Sequence, residues 1–319
     1  MVRRWSGALV AVVLGAGLVL HPGAANAIAG SAYLSAWDRY SSSTCKSSMT
    51  GAGPKGAAVP ADGTWRKVQL NRSGRVATSA VSATSTVSGR LVNDSRGSSR
   101  LGVRISASAT ARPTSASSCP ATYVLKSGVG GADVVLSKTS WLVVRSDLST
   151  QGSYGGKLGL YSATGPGSWV AKPGGARTRL MPRGQYILGA SMNNGLQVPR
   201  GSTAPKAVRA TLSASLSLFP IGTLSSRRGR GLSYVTVGHR DCAYNRVKLT
   251  LLDRAGTSAR RITVDVDGRR RLDLSGRELD RSGYLLSGIA RSTNGVIRAR
   301  VTTASGGSVT MLAASWPCA

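Results

Sequence analysis

Apolar and polar residues alternate strictly along several stretches of this 319-residue chain. Val208, Ala210, Leu212, Ala214, Leu216 and Leu218 interleave with Arg209, Thr211, Ser213, Ser215 and Ser217. Val103, Ile105, Ala107 and Ala109 interleave with Arg104, Ser106, Ser108 and Thr110, and Ile297, Ala299 and Val301 with Arg298, Arg300 and Thr302. A period of two puts the apolar side chains on one face of a strand and the polar ones on the other, as in strands half buried against a second layer. After residue 27 no stretch keeps a helical period. The expected fold class is therefore all-β, built of antiparallel β-sandwiches.

One pattern recurs three times. A Ser-led strand reaches an Asp (Ser31 to Asp38, Ser140 to Asp147, Ser233 to Asp241), and a Gly-led strand follows at Gly74, Gly184 and Gly283. Each unit then shows a turn signal, at Ser88-Gly89, Asn194-Gly195 and Asn294-Gly295, the last two being strong hairpin dipeptides. The repeat predicts three tandem sandwich modules over residues 28–125, 132–222 and 232–319. Flexible joints are expected near 125–139 and 222–232, where Lys126-Ser127-Gly128-Val129-Gly130-Gly131 and Ser225 to Gly231 are rich in Gly, Ser and Arg. Trp37, Trp65 and Trp141 lie on or beside strands and read as core.

Residues 1–27 carry the three parts of a secretory signal peptide: Arg3 and Arg4, an apolar run from Gly7 to Leu20, and a small-x-small site at Ala25-Asn26-Ala27. The mature chain has no second run of membrane-spanning length, so release or retention at the cell surface is expected. Export fits the cysteines. Cys45 and Cys119 are 74 residues apart and Cys242 and Cys318 are 76 apart, each pair bracketing one repeat, which favours those two disulfides. A zinc site is disfavoured because there is no Cys-x-x-Cys and His239 is the one histidine beyond the signal.

The chain holds 42 Lys+Arg against 12 Asp+Glu, for a net charge of +30. Such a chain associates with polyanions at low salt, and outside a cell these are anionic wall polymers, acidic polysaccharides, nucleic acid and lipid head groups. The charge is spread evenly, which also fits simple composition drift. Two clusters rise above that background. Arg227, Arg228 and Arg230 sit in the second joint. Arg260 and Arg261 precede the strand Ile262 to Val266, and Arg269, Arg270 and Arg271 follow the turn Asp267-Gly268, so those five arginines form the expected anion site. A specific nucleic-acid target is not expected, because single-strand readers interleave aromatics with basic residues and aromatics are 5% here.

Catalytic chemistry is thinly provided for. His239-Arg240-Asp241 is flanked by Cys242, but a nucleophilic Cys242 requires it to be reduced. No Gly-x-Ser-x-Gly elbow or phosphate loop is present. Asp241, at the end of its strand, reads as a turn cap. Asp265, Asp267 and Asp273 have oxygens for Ca²⁺, yet the adjacent arginines favour salt bridges, and no metal or cofactor is expected. For carbohydrate, Trp169 in a glycine loop is the expected aromatic platform, with Tyr154 in a second loop. The sequence reads as a secreted, non-catalytic protein binding an anionic surface of the cell envelope. A protein-binding inhibitor or effector and a hydrolase with an unrecognised site are the alternatives.

Overall fold

The alternating stretches form long antiparallel strands, and their apolar residues point into two separate cores. The computed structural model describes residues 26–29, 31–42, 47–51, 53, 55–93, 99–114, 119–162 and 169–319. Of the expected signal peptide, only Asn26 and Ala27 are among them. The first fourteen strands are β1 (Asn26–Ala29), β2 (Ala32–Ser42), β3 (Ser47–Thr50), β4 (Lys55–Val59), β5 (Arg66–Val76), β6 (Ser79–Asn93) and β7 (Ser99–Pro113), followed by β8 (Ala121–Leu136), β9 (Ser140–Gln151), β10 (Ser153–Ser162), β11 (Trp169–Ala171), β12 (Gly175–Met181), β13 (Gly184–Val198) and β14 (Lys206–Pro220).

These strands make two seven-stranded sheets. One runs β11-β10-β13-β8-β2-β4, with β1 also pairing β8; the other runs β12-β9-β14-β7-β6-β5-β3. Leu34, Leu125, Leu136 and Leu188 from the first sheet and Leu70, Leu91, Leu101, Ile105, Leu212 and Leu216 from the second fill the space between them. Each such side chain, taken fully from water, contributes about 1.5–3 kcal/mol. A few polar links cross this interior: the Ser85 and Ser127 hydroxyls bond each other, and Asn194 Nδ2 donates to the Ala107 carbonyl at 3.3 Å.

The segments expected as modules one and two are thus interleaved in a single sandwich. The expected joint at Lys126–Gly131 lies inside β8, where Lys126 pairs with Trp37 on one side and Asn193 on the other. Its glycines have a different reason. The register with β13 shifts between Leu188 and Ala190, leaving Gly130 and Gly131 opposite one residue, and Gly131 takes φ +79°. That is a β-bulge that glycine tolerates. A Cβ on Gly128 would lie 2.8 Å from the Ala190 carbonyl oxygen, so the strand is glycine-rich to let its neighbour close in. The expected hairpin turns at Asn194-Gly195 and Ser88-Gly89 likewise fall mid-strand, in β13 and β6. One hairpin turn they displaced is at Ala77-Thr78, where Ala77 has φ +53°.

The rest of the chain forms its own sandwich, from β15 (Leu224–Arg228), β16 (Val235–Asp241), β17 (Arg246–Leu251), β18 (Ala259–Val266), β19 (Arg269–Ser275), β20 (Gly283–Leu286), β21 (Gly295–Thr303) and β22 (Ser308–Ser315). A five-stranded sheet, β15-β22-β21-β18-β19, faces a three-stranded one, β16-β17-β20, over a core that includes Val237, Leu249, Ile262, Val264, Ala299 and Met311. The arginine-rich second joint is β15, an edge strand paired with β22. The one described α-helix, α1 (Asp253–Ser258), is six residues long, and no described helix is long and apolar enough to cross a membrane. Cys242 and Cys318 form the expected disulfide. Cys119 is also disulfide-bonded, while Cys45 lies outside the described residues.

The two sandwiches meet at an aromatic joint. Trp316 stacks on Phe219 at 5.1 Å between centroids and on Trp141 at 6.4 Å, and the Trp141 indole N–H donates to the Pro317 carbonyl at 3.0 Å. Half-buried Trp141 therefore belongs to the joint rather than to a sandwich core.

Candidate functional site: an arginine-ringed groove

The outer face of the second seven-stranded sheet is polar because the alternating strands turn their Ser, Thr and Arg residues away from the core. Strand pairing sets them in rows. Arg90, Gly102, Ser215 and Arg145 lie side by side across β6, β7, β14 and β9. The rows on either side are Ser88, Arg104, Ser213 and Asp147, and Val92, Arg100, Ser217 and Val143. Strand neighbours are about 4.8 Å apart and residues two along a strand about 6.8 Å apart. Gly102 and Ser215 are therefore a low floor, with Arg100 and Arg104 before and after them on β7 and with Arg90 and Arg145 at the two ends of the row.

The floor lies in a groove of about 840 Å³ lined by these residues, by Trp65 and by Ser146, Gly175 and Ala176, with Phe219 also in its wall. The four arginines come by different routes. The Arg104 guanidinium carbon sits over the Trp65 indole, 4.6 Å from the ring centroid, a cation–π contact that holds the group at the groove. Arg100 Nε donates to the Ser217 hydroxyl at 3.1 Å. Arg90 and Arg145 are exposed. Among the described residues none of the four has a carboxylate within salt-bridge distance. Four fork-shaped donors thus converge on one floor, with Asp147 as the single acidic side chain in the lining. Planar guanidinium groups suit two-pronged binding of carboxylate, phosphate or sulfate.

Trp65 corrects an expectation. It is 39% exposed and walls the groove, and Trp37 on the opposite sheet is 36% exposed with the Lys126 ammonium 4.5 Å from its ring centroid. Both indoles stand outside the core because they sit on outward positions, where an arginine or a lysine can stack on them. Trp169, expected in a loop, opens β11 and pairs with Leu160, and Tyr154 lies in β10 opposite Asn194. Residues 163–168, where that loop is expected, lie outside the described residues.

The expected arginine cluster is arranged differently from the sequence reading. The hairpin β18–β19 forms around Asp267-Gly268, with φ +49° and +80°, the pair of positive values that a tight primed turn needs. Arg261 makes a two-pronged bond to Asp273, with Nε to Oδ1 at 2.7 Å, and Arg270 Nε donates to Asp265 at 2.5 Å. The Arg261 hydrogen bonds hold the Asp273 carboxyl below its usual range, and its own guanidinium is held above. Arg260 and Arg271 are the extra residues of two β-bulges, and Arg269 flanks the turn. The five do not share one face, and two of them are already paired. Asp267 accepts the Val296 backbone N–H at 2.8 Å, so each of the three candidate calcium ligands already has a structural partner, with Arg270 also 3.8 Å from Asp273. The described residues hold no group of three metal-ligating side chains.

The catalytic candidates also have structural partners. His239 Nδ1 accepts the Leu224 backbone N–H at 3.3 Å. Asp241 Oδ1 accepts the N–H groups of Ala243 and Tyr244, the turn cap expected of it. Buried Arg240 donates to Asn245 Oδ1 and to the carbonyls of Ile289, Ala290 and Thr293, closing down the connection before β21. Desolvation lowers its pKa, and Asp267 opposes this.

Sequence reading passed over Arg90, Arg100, Arg104 and Arg145. A signal was present: Arg100-Leu101-Gly102-Val103-Arg104 puts two arginines on the outer side of a glycine. The other two arginines come from strands distant in sequence, and only the pairing brings them in. No protein-family model matches the chain, and no curated protein matches it. Among solved structures, the adhesin domain of Epf from Streptococcus pyogenes aligns at 10% identity over 88% of this chain and 91% of that one, with a TM-score of 0.19, a superposition too weak to carry fold or activity across.

Proposed function

We propose that this protein is a non-catalytic binding protein that holds an anionic extracellular polymer in the groove around Gly102. One observation supports the reading: Arg90, Arg100, Arg104 and Arg145 line one groove over a floor of Gly102 and Ser215, and among the described residues none of them has a carboxylate partner. Guanidinium groups with no carboxylate among the described residues have more to gain from an anion than do Arg261 and Arg270, which are already salt-bridged in the β18–β19 hairpin. The disulfide Cys242–Cys318 supports an oxidising compartment, as does the export segment read in residues 1–27.

The test is binding of the oxidised protein to isolated cell walls and to soluble polyanions across a salt series. Arg90→Gln with Arg145→Gln removes two exposed charges; at on the order of 1 kcal/mol each, affinity falls roughly tenfold to thirtyfold, and the dependence on salt becomes shallower. Replacing Arg269, Arg270 and Arg271 together has the smaller effect. Absence of binding at any salt, or a larger loss from the hairpin triple variant, overturns the reading.

A further inference from the structure

Beyond the groove, the same sheet face becomes a lattice of hydroxyls. Gln69, Thr86, Ser106, Thr211 and Ser149 lie side by side across β5, β6, β7, β14 and β9. The next row is Asn71, Thr84, Ser108, Arg209 and Gln151, and the row after that holds Ser73, Ser82 and Thr110. No aromatic or large aliphatic side chain interrupts these rows. The opposite sheet differs, exposing Tyr33 and Trp37 on its outer side. From Arg100 to Thr110 the track runs roughly 33 Å along β7, and from β6 to β9 it is about 14 Å wide.

We infer that the ligand of this site is an acidic polysaccharide, whose carboxylates sit among the arginines and whose hydroxyls lie along the Ser/Thr lattice. This rests on the anion-binding reading above and narrows it. Each Ser or Thr hydroxyl both donates and accepts, which suits a polyol and does nothing special for a bare phosphate oxygen. A uniformly charged polyphosphate would carry most of its anions onto rows in which Arg209 is the one charged side chain. Bases need stacking platforms, and Trp65 already has one ring face covered by Arg104. A lipid surface needs apolar side chains that these rows lack. Asp147, beside Ser213 and one strand removed from Arg104, accepts from a sugar hydroxyl and repels a second anion at that end of the groove.

The experiment compares binding of the oxidised full chain to polygalacturonate, to inorganic polyphosphate and to neutral dextran at matched ionic strength. Wild type is set against Thr86→Val with Thr211→Val, and against Arg90→Gln with Arg145→Gln. Valine keeps the β-branched shape and removes only the hydroxyl, so the strands persist. The expected result is tighter binding of polygalacturonate than of polyphosphate. The valine pair weakens polygalacturonate about threefold to tenfold, leaving polyphosphate unchanged, while the arginine pair weakens both. Equal polygalacturonate affinity for wild type and the valine pair overturns the lattice while leaving the anion site standing, as does polyphosphate bound as tightly as polygalacturonate. Loss of both ligands from wild type removes the anion site itself.

Discussion

Asp38 carries more structural weight than its place in a repeat suggests. Its carboxylate accepts Arg72 Nε at 3.1 Å and the Tyr123 hydroxyl at 3.0 Å, with side-chain exposures of 4% for Asp38 and 13% for Arg72. Arg72 also donates to the Gly51 carbonyl, joining the two sheets to a loop. Asp38→Asn keeps the shape but strips the charge, leaving a mostly buried guanidinium unpaired. The expected loss is roughly 2–3 kcal/mol, below the range for fully buried pairs because Arg72 keeps some solvent, and a urea denaturation midpoint reads it. Tyr123 gives a pH prediction. Burial first, and the Asp38 charge second, push its phenol above the ordinary tyrosine value. The folded state then holds a proton that the unfolded chain releases near pH 10, so this stability is complete below about pH 10 and is lost as pH rises beyond it. Denaturation midpoints at about pH 9 and about pH 11 should differ in that direction, and ultraviolet titration should show Tyr123 ionising only on unfolding. At the groove, Trp65→Ala removes the ring over which the Arg104 guanidinium sits. The fold persists, since Trp65 is 39% exposed, and affinity for an anionic polymer drops severalfold.

Along the strands, glycines decide what fits between neighbours. A Cβ on Gly74 would lie 2.2 Å from the Ser48 carbonyl oxygen in β3, and one on Gly283 would lie 2.4 Å from that of Leu249 in β17. Gly74→Ala and Gly283→Ala each force two strands apart, an overpacking cost of about 1–3 kcal/mol that thermal or urea unfolding would register. Gly102 differs because its missing side chain is the groove. Gly102→Leu points outward from β7 against Trp65, whose ring atoms would sit 3.2 Å from the new Cβ, so the indole shifts and the floor fills. Circular dichroism should stay that of a β protein while polymer binding is abolished. The strands themselves were legible in the sequence, because the alternation of Val208 to Leu218 and Val103 to Ala109 is the burial pattern observed in β14 and β7. The joints were not. Asn-Gly and Gly-Gly signal turns through backbone freedom, but Asn194 is held in β13 by a bond across the sandwich, and Gly130-Gly131 by a bulge. Local propensity gave way to pairing on both sides. The groove escaped for a related reason: Arg90 and Arg145 flank one floor only when β7 and β14 place β6 and β9 on their two sides, and nothing within either segment records that order.

At the scale of the molecule, what looked like three beads is a large sandwich of interleaved segments beside a smaller, disulfide-closed one. Two sheets that draw strands from residues 26 to 220 share one core, so truncation within β8 to β14 should unfold all of it rather than one module. Limited proteolysis checks this: the products expected are two stable fragments divided near Pro220–Thr223, and cleavage at Lys126 or Lys138 without loss of the large sandwich would contradict it. The bridge Cys242–Cys318 closes a loop of 76 residues, worth about 4 kcal/mol to the smaller sandwich in the chain-entropy description. It also anchors the segment bearing Trp316, which stacks on Phe219, and Phe219 lines the groove. Oxidation state and polymer occupancy therefore bear on the same ring. Thermodynamic reciprocity sets the consequence: by whatever factor the intact bridge tightens the hold on a polymer, the bound polymer hardens the bridge against reduction. Titrating the disulfide with a thiol buffer, with and without polyanion, would show this as a displaced midpoint. A chain in the groove would then guard a sulfur–sulfur bond that it never touches.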